Sequence, residues 1–392
     1  MGTGTILFFT LLAVIALVLA VDWFPIIDTW QSRIHIGRWK DRGPWISAIS
    51  RVAENWLRKT PTITLTDNRR LVLADMLRGH YRRDSIQHWQ QAALLLGLAE
   101  EEKKHPDPKR RQKLIDFAST VLISGRWKNQ PEEIDSGILA YALIESAVDP
   151  QAIRPALDDM WALMKSRTGE DGTVFYRTHM RGFRYVDTIG FICPFLVRYG
   201  QLFNIPEAVD LAVRQIESYD KAMLAETSIP AHTYVLRSGL PSGLAGWGRG
   251  MGWYAIGLAD AWCALDAAHP KKKALQYRLE NFAGSVIALQ RENGSWGWNA
   301  TNPQSIPDSS ATATLAWLLT CVSEIPKMKD KALVSRDKAL QYLMKVTRRD
   351  GAIDFSQGDT KDIGVYSQLF DILPFTQGFA LRCAIVASGR QQ

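Results

Sequence analysis

Gly246-Trp-Gly-Arg-Gly-Met-Gly-Trp253 runs straight into Tyr254-Ala-Ile-Gly-Leu-Ala-Asp-Ala-Trp-Cys-Ala-Leu-Asp266, an apolar stretch with helical spacing. Four glycines in seven positions oppose a helix interior, each costing about 1 kcal/mol against alanine. They are expected where the backbone bends or something approaches it closely, with the helix opening at Tyr254. Arg249 among Trp247, Met251 and Trp253 offers a cation between flat apolar faces. That combination suits an anionic sugar ring; the plainer reading is a tight helix entry with tryptophans in the core.

Outward from this stretch the chain reads as helix after helix. Apolar residues recur at i, i+3, i+4 over Trp45–Leu57, Ser85–Lys103, Lys109–Ser124, Ser136–Ala147, Ala152–Ser166 and Ala208–Leu224, and then over Tyr254–Ala268, Lys271–Gln290, Ala311–Ser323, Lys331–Val346 and Thr376–Val386. Alternating strand patterns are nearly absent. Glu170-Asp-Gly172, Glu292-Asn-Gly294 and Arg349-Asp-Gly351 repeat one breaker, in which glycine supplies the left-handed residue that ends a helix.

A longer period decides the architecture. Polar or aromatic clusters open alternate helices at His88-Trp89-Gln90-Gln91, Asp135-Ser136-Gly137, Tyr185-Val-Asp187, Trp247-Gly-Arg249, Asp308-Ser309-Ser310 and Asp371 through Gln377. They lie 47 to 63 residues apart, about one helical hairpin each. Six such hairpins predict an all-α (α/α)6 toroid over 45–390. Its inner helices run the same way, so their N-termini, with free N–H groups and partial positive charge, converge on one rim.

Asp135 and Asp187 are the candidates for chemistry, each preceding an apolar helix. The ordinary structural alternative is an N-cap, where aspartate accepts a bond from first-turn N–H groups. Asp308-Ser-Ser-Ala-Thr reads most strongly as a cap. Glu132 and Glu133 add carboxylates nearby, and His88 and His232 lack a metal-binding companion at i+4.

The 392 residues carry 47 Lys+Arg against 40 Asp+Glu, a formal +7 spread without a basic block, so no nucleic-acid partner is expected. An acidic small ligand or an anionic membrane surface suits the excess equally. Cys193, Cys263, Cys321 and Cys383 lie far apart in apolar stretches and read as buried free thiols, with neither a disulfide framework nor a metal site. Thr5 to Val21 is an uncharged run at the short end of what spans a bilayer. No Lys or Arg precedes it, and Val18-Leu-Ala20 is only a passable cleavage site. The expectation is a retained anchor over 1–22, with a signal segment as the alternative, a juxtamembrane linker over 23–44, and the toroid over 45–390, in the cytosol or, alternatively, on the periplasmic or extracellular side. Arg33, Arg38 and Lys40 place that toroid in the cytosol by the positive-inside rule.

Several of these segments resemble one group of enzymes. Trp247-Gly-Arg-Gly-Met-Gly-Trp253 resembles the W-x-R-G-x-[GA]-W signature of glycoside hydrolase families 88 and 105, the unsaturated glucuronyl and rhamnogalacturonyl hydrolases. Arg184-Tyr-Val-Asp-Thr-Ile-Gly-Phe-Ile-Cys-Pro-Phe-Leu196 is similar to their W-x-D-x-x-x-x-x-P-[FL]-L segment, Asp135-Ser-Gly137 to a D-x-G, and Pro307-Asp-Ser-Ser-Ala-Thr-Ala313 to a helix entry. The resemblance covers roughly 45–390. It implies Asp187 as catalytic acid, Asp135 as second carboxylate, His232 as a substrate contact and Arg249 as a holder of the uronate carboxylate. Trp247, Trp253, His88, Trp89 and Tyr185 are then expected around the sugar.

The implied reaction hydrates the C4=C5 double bond of a terminal Δ4,5-unsaturated uronic acid. Its oligosaccharide substrate comes from an upstream polysaccharide lyase, and no metal or organic cofactor is implied. Departures from the pattern are Tyr185 for the usual tryptophan, Tyr176-Arg177 for a frequent His-Lys, and Glu132 near where family 105 keeps its second aspartate. Two other readings fit the same residues: another carbohydrate-active enzyme on this toroid (a glycosidase or epimerase), and an inactive membrane-attached carbohydrate-binding protein.

Overall fold

The structure is a computed structural model that describes residues 2–63, 66–79, 87–224 and 227–389. Six helices form a closed inner ring: α4 (Gln87–Lys104), α6 (Ser136–Glu145), α8 (Val186–Phe203), α10 (Gly248–Ala264), α12 (Ser309–Val322) and α14 (Pro374–Ser388). Each packs on the next, and α14 packs on α4 to close the circle. Outside them lie α2 (Arg42–Arg58), α5 (Pro108–Val121), α7 (Arg154–Ser166), α9 (Pro206–Ser218), α11 (Lys272–Ala288) and α13 (Lys329–Lys345). This is the expected (α/α)6 toroid. Ser85 and Ile86, which open the expected helix Ser85–Lys103, lie outside the described residues, as does Arg390 at the end of the expected domain.

Composition sorts the two rings. Every residue of α12 from Ser309 to Val322 is buried, as is α10 from Gly248 to Trp262. The outer α9 buries one stripe, including Ala208, Val209, Leu211, Ala212 and Ile216, and keeps its charges outside. Closing the ring needs small residues at the seam. A Cβ built on Gly97 of α4 would stand 2.5 Å from the carbonyl oxygen of Gly378 on α14, so neither position has room for a side chain. Toward the far end of the ring, Arg382 donates to Asp260 at 2.7 Å and lies 3.8 Å over the Trp317 ring, while Trp317 Nε1 also donates to Asp260 at 2.9 Å.

Several expectations are corrected. The glycine run does not bend the chain ahead of a helix at Tyr254; α10 already begins at Gly248. Close packing overrides propensity here: a Cβ on Gly250 would meet the Trp247 ring at 2.6 Å, and one on Gly252 would collide with Thr314. Only Gly246, at φ +80, uses glycine's left-handed freedom. The breaker glycines Gly172, Gly294 and Gly351 do as well. Strands are present after all. Ile229–Val235 pairs with Phe183–Tyr185, Met223–Leu224 and Pro241–Ala245 in a small antiparallel sheet beside the rim. Cys263 is exposed, because it falls in the last turn of α10 where burial stops.

The N-terminal helix α1 runs from Thr3 to Arg33, through Pro25 and into the first half of the expected linker. Beyond it a short helix, α3 (Val72–Leu77), packs against α1.

Candidate active site

The N-terminal ends of the inner helices α4, α6, α8 and α10 line a cavity of ≈ 550 Å³, within the usual range for a small-ligand site. Trp89 comes from α4, Asp187 and Phe191 from α8, and Arg249 and Trp253 from α10. Trp247 and Asp135 stand at the N-caps of α10 and α6, His232 on the strand Ile229–Val235, and Tyr185 at the end of its neighbour. Residues far apart in sequence thus share one wall.

Neither aspartate caps its helix. Asp135 holds the N-cap position of α6 without a side-chain bond, and Asp187 lies in the first turn of α8, after the N-cap Tyr185. Asp135 Oδ1 and Asp187 Oδ2 are buried and hydrogen-bonded to no protein group among the described residues. A buried acceptor left open costs about 1–3 kcal/mol, so both atoms stand ready for a ligand. Asp308, by contrast, is a true cap, accepting from Ser310 N at 2.8 Å. It also accepts from Gln357 N at 3.0 Å, which fixes the strand that braces the cavity.

Burial pushes the Asp187 carboxyl up to about 7; Arg249 and Arg177 pull it back and Asp359 adds to the rise. Burial likewise raises Asp135 to about 7, opposed by Arg177 and assisted by Glu133. The lift on Asp187 therefore comes from burial and Asp359. His232 Nε2 lies 3.6 Å from Asp187 Oδ2. Burial and Arg249 lower His232 to about 4, so this contact joins a carboxyl to a neutral imidazole and is no ion pair near neutrality. Tyr366 OH holds the other ring nitrogen at 3.1 Å.

Aromatic rings pack the walls. Trp253 lies 4.5 Å from Phe191 and 5.7 Å from Trp89, and Trp247 lies 4.6 Å from His232. Trp247 Nε1 donates to the Gln357 side chain at 3.0 Å. Arg249 is already engaged: Nη1 donates to Gln357 O at 2.6 Å and Nη2 to Gly358 O. Arg177 is different. It lines the cavity, lies 4.1 Å over the Tyr176 ring and feels Asp135 and Glu133, yet donates to no protein acceptor among the described residues.

The expected residues Asp135, Asp187, Trp89, Tyr185, His232, Trp247, Arg249 and Trp253 all line the cavity. His88 does not. Its Nδ1 lies 2.7 Å from Ser136 Oγ, so it braces the residue after Asp135 from behind. Glu132 is exposed, whereas Glu133 reaches the wall, so only the latter joins Asp135 there. Sequence reasoning noted Tyr176-Arg177 only as a departure from a frequent His-Lys and gave Arg177 no ligand role, and it missed the Asp359–Asp362 segment as a cavity wall.

Comparison with known proteins identifies the family and the fold. Residues 51–382 match the model of Glycosyl Hydrolase Family 88. A stretch of 172 residues is 23% identical to the unsaturated rhamnogalacturonyl hydrolase YesR of Bacillus subtilis, covering 43% of this chain and 48% of that protein. The chain thus spans about half the length of this curated relative. A possible member of the GH105 family from Salmonella enterica superposes with a TM-score of 0.76 at 17% identity, over 90% of this chain and 96% of that one. The unsaturated glucuronyl hydrolase of Bacillus sp. GL1, responsible for glycosaminoglycan degradation, superposes with a TM-score of 0.65 at 17% identity, over 88% and 95%. At such identities the structural likeness establishes the toroid.

Proposed function

This chain belongs to glycosyl hydrolase family 88, and from that premise we propose that it removes a terminal Δ4,5-unsaturated uronic acid from lyase-generated oligosaccharides by hydrating the C4=C5 bond. The observation that carries this reading is the pair of buried carboxyls, Asp187 and Asp135, both raised to about 7 and both opening an unpaired oxygen on one cavity.

The chemistry follows from their protonation. A vinyl ether is a weak base, so C4 needs a close proton donor that remains protonated near neutrality. Asp187 fits that role. Its proton passes to C4 and positive charge develops at C5 and the ring oxygen. Ionised Asp135 would stabilise that charge. Water then adds at C5, giving its proton to the Asp187 carboxylate, which restores the acid. The hemiketal formed opens to a C5 ketone and leaves a hemiacetal at C1, which collapses to an aldehyde and releases the remaining oligosaccharide as an alcohol. Neutral His232, 3.6 Å from Asp187, does not compete for its proton. Arg177 is the guanidinium with donors to give, and in this reading it binds the uronate carboxylate bidentately. Arg249 instead braces residues 357–358. Trp89, Tyr185, Trp247 and Trp253 supply the apolar walls.

Absorbance of the conjugated alkene, followed over a panel of lyase-generated disaccharides, tests the reading. Loss of the chromophore with release of one sugar supports it; turnover of saturated glycosides with the alkene untouched points to an ordinary glycosidase instead. Binding without turnover favours the carbohydrate-binding alternative.

Helix α1 is 31 residues long, with a mean hydropathy of 2.8 in its most apolar window, and that window is unburied. We infer that it is a retained anchor, with the toroid on the cytosolic side. Reporter fusions after residue 40, with N-terminal sequencing of the mature protein, test both points. A soluble product beginning near Val21 removes the anchor, and an externally active reporter reverses the orientation.

A further inference from the structure

Helix α1 has a companion at the point where its apolar run ends. Its first twenty residues, Thr3 to Asp22, rise about 30 Å, the thickness of a bilayer's hydrocarbon core. At that level the Asp22 carboxylate accepts hydrogen bonds from the main-chain N–H groups of Leu71 and Val72, both at 2.8 Å, and so fixes the start of α3. Within α3, Val72 and Asp75 turn inward and are buried. Leu71, Met76 and Leu77 turn outward, and Leu77 is 83% exposed. Beside them α1 exposes Trp23, Phe24 and Trp30. Arg69, Arg70 and Arg78 flank the patch, all exposed.

We propose that α3 and the adjoining aromatic turns of α1 form a foot that rests in the headgroup layer of an anionic lipid bilayer. The proposal rests on the reading of α1 as an anchor and goes beyond it, because it assigns a second element to the membrane. The bilayer is the fitting occupant for three reasons. The patch is continuous with a helix long and apolar enough to span. It lies where that span leaves the hydrocarbon, a depth at which tryptophan and other amphipathic side chains settle. Its rim is basic, as attraction to anionic headgroups requires.

The foot is stapled to the toroid from two sides, one of them at the cavity wall. Eleven residues beyond Asp22, about 16 Å along α1, Arg33 donates to Asp354 at 2.7 and 2.9 Å and to Phe370 O at 3.2 Å. On the segment leading into α3, Asp67 accepts from Ser367 Oγ at 2.7 Å and Gln368 N at 3.0 Å. It also pairs with the cavity-lining Lys361 at 3.2 Å. Lipid contact at α3 would therefore hold the Asp359–Asp362 wall and set the rim close above the headgroups.

The test uses the full chain in bilayer discs of phosphatidylcholine with and without phosphatidylglycerol. Leu77→Cys carries a spin label, on a background in which the exposed Cys263 is replaced by serine, and Tyr277→Cys on the outer ring is the control. The label at 77 is expected to be shielded several-fold from an aqueous relaxation agent relative to 277, more so with phosphatidylglycerol. Arg70→Gln with Arg78→Gln should remove the dependence on anionic lipid. A chain that enters the discs while its label at 77 stays as accessible as that at 277 overturns this proposal alone. A chain that does not enter them overturns the anchor reading and the foot together. Shielding at 77 that is the same with and without phosphatidylglycerol overturns the assignment to anionic headgroups.

Discussion

Arg249 Nη1 donates to the main-chain carbonyl of Gln357 at 2.6 Å, which makes the arginine of the glycine–tryptophan motif a strut between α10 and the 357–362 wall. Nη2 reaches Gly358 O and, at 3.4 Å, Thr360 Oγ1. Gln357 is held from its other side by Trp247 and Asp308. A guanidinium tied this way shapes the site and, by its charge, helps to hold His232 neutral.

The two cavity arginines should therefore fail differently. Arg177→Gln removes two charge-assisted bonds to the ligand, each about 1.5–3 kcal/mol, so KM should rise about 100-fold or more while the melting temperature holds. Arg249→Met leaves two carbonyls without donors, at about 1–3 kcal/mol each, so the melting temperature and kcat should fall together. Steady-state kinetics with thermal melts decide. An unchanged KM in Arg177→Gln would return the uronate-binding role to Arg249.

Activity should follow a bell-shaped pH profile centred near 7. The proposed acid Asp187 must carry its proton and the proposed stabiliser Asp135 must have lost its own, and both lie at about 7. Asp135→Asn should lose most of its activity and keep only the alkaline fall, as Asp187 ionises. His232, lowered to about 4, stays neutral throughout. A profile of kcat/KM that is flat from about pH 5 to 9 contradicts the assignment of both carboxyls.

Much of this site was legible because it follows a period. The clusters at His88, Asp135, Asp187, Trp247 and Asp308, and Asp371 through Gln377, all mark the N-terminal ends of inner helices, where a closed ring of parallel helices must bring them together. The ligand-binding role of Arg177 and the Asp359–Asp362 wall were not legible, since each lies beyond a repeated Asp-Gly turn on a stretch unlike the other and reaches the cavity only through tertiary packing. The strands around His232 escaped for a related reason: all but the last residue of Ile229–Val235 are buried, so no polar alternation shows in the sequence. The start of α10 was misplaced because helix propensity was weighed without the Trp247 and Thr314 contacts that require glycine.

Removing the proposed acid should stabilise the fold. A carboxyl raised from about 3.9 unfolded to about 7 folded is favoured only while neutral. Its contribution is full at low pH and is lost as pH rises toward and past 7. Asp187→Asn should thus abolish turnover yet gain stability on the order of 2–4 kcal/mol at alkaline pH, and almost none below about pH 4. Denaturant melts of both proteins across that range give the check. A variant destabilised at alkaline pH would mean that the ionised carboxylate has a partner in the fold.

The ring seam makes the last case. A Cβ on Gly378 would collide with the main chain of Ala93 on α4, where no side-chain rotation offers relief. Gly378→Ala must push α14 from α4, and such overpacking costs about 1–3 kcal/mol. The same shift moves Phe375 against Trp89, whose rings are 5.1 Å apart, and through Trp89 the Trp253 wall. Activity should therefore fall beyond what lost stability explains. Gly284→Ala on exposed α11 is the matched control, since its Cβ meets nothing within 4 Å and alanine favours the helix by up to about 1 kcal/mol. Gly378→Ala unfolding at the wild-type midpoint with full activity would show that the seam is looser than the geometry requires.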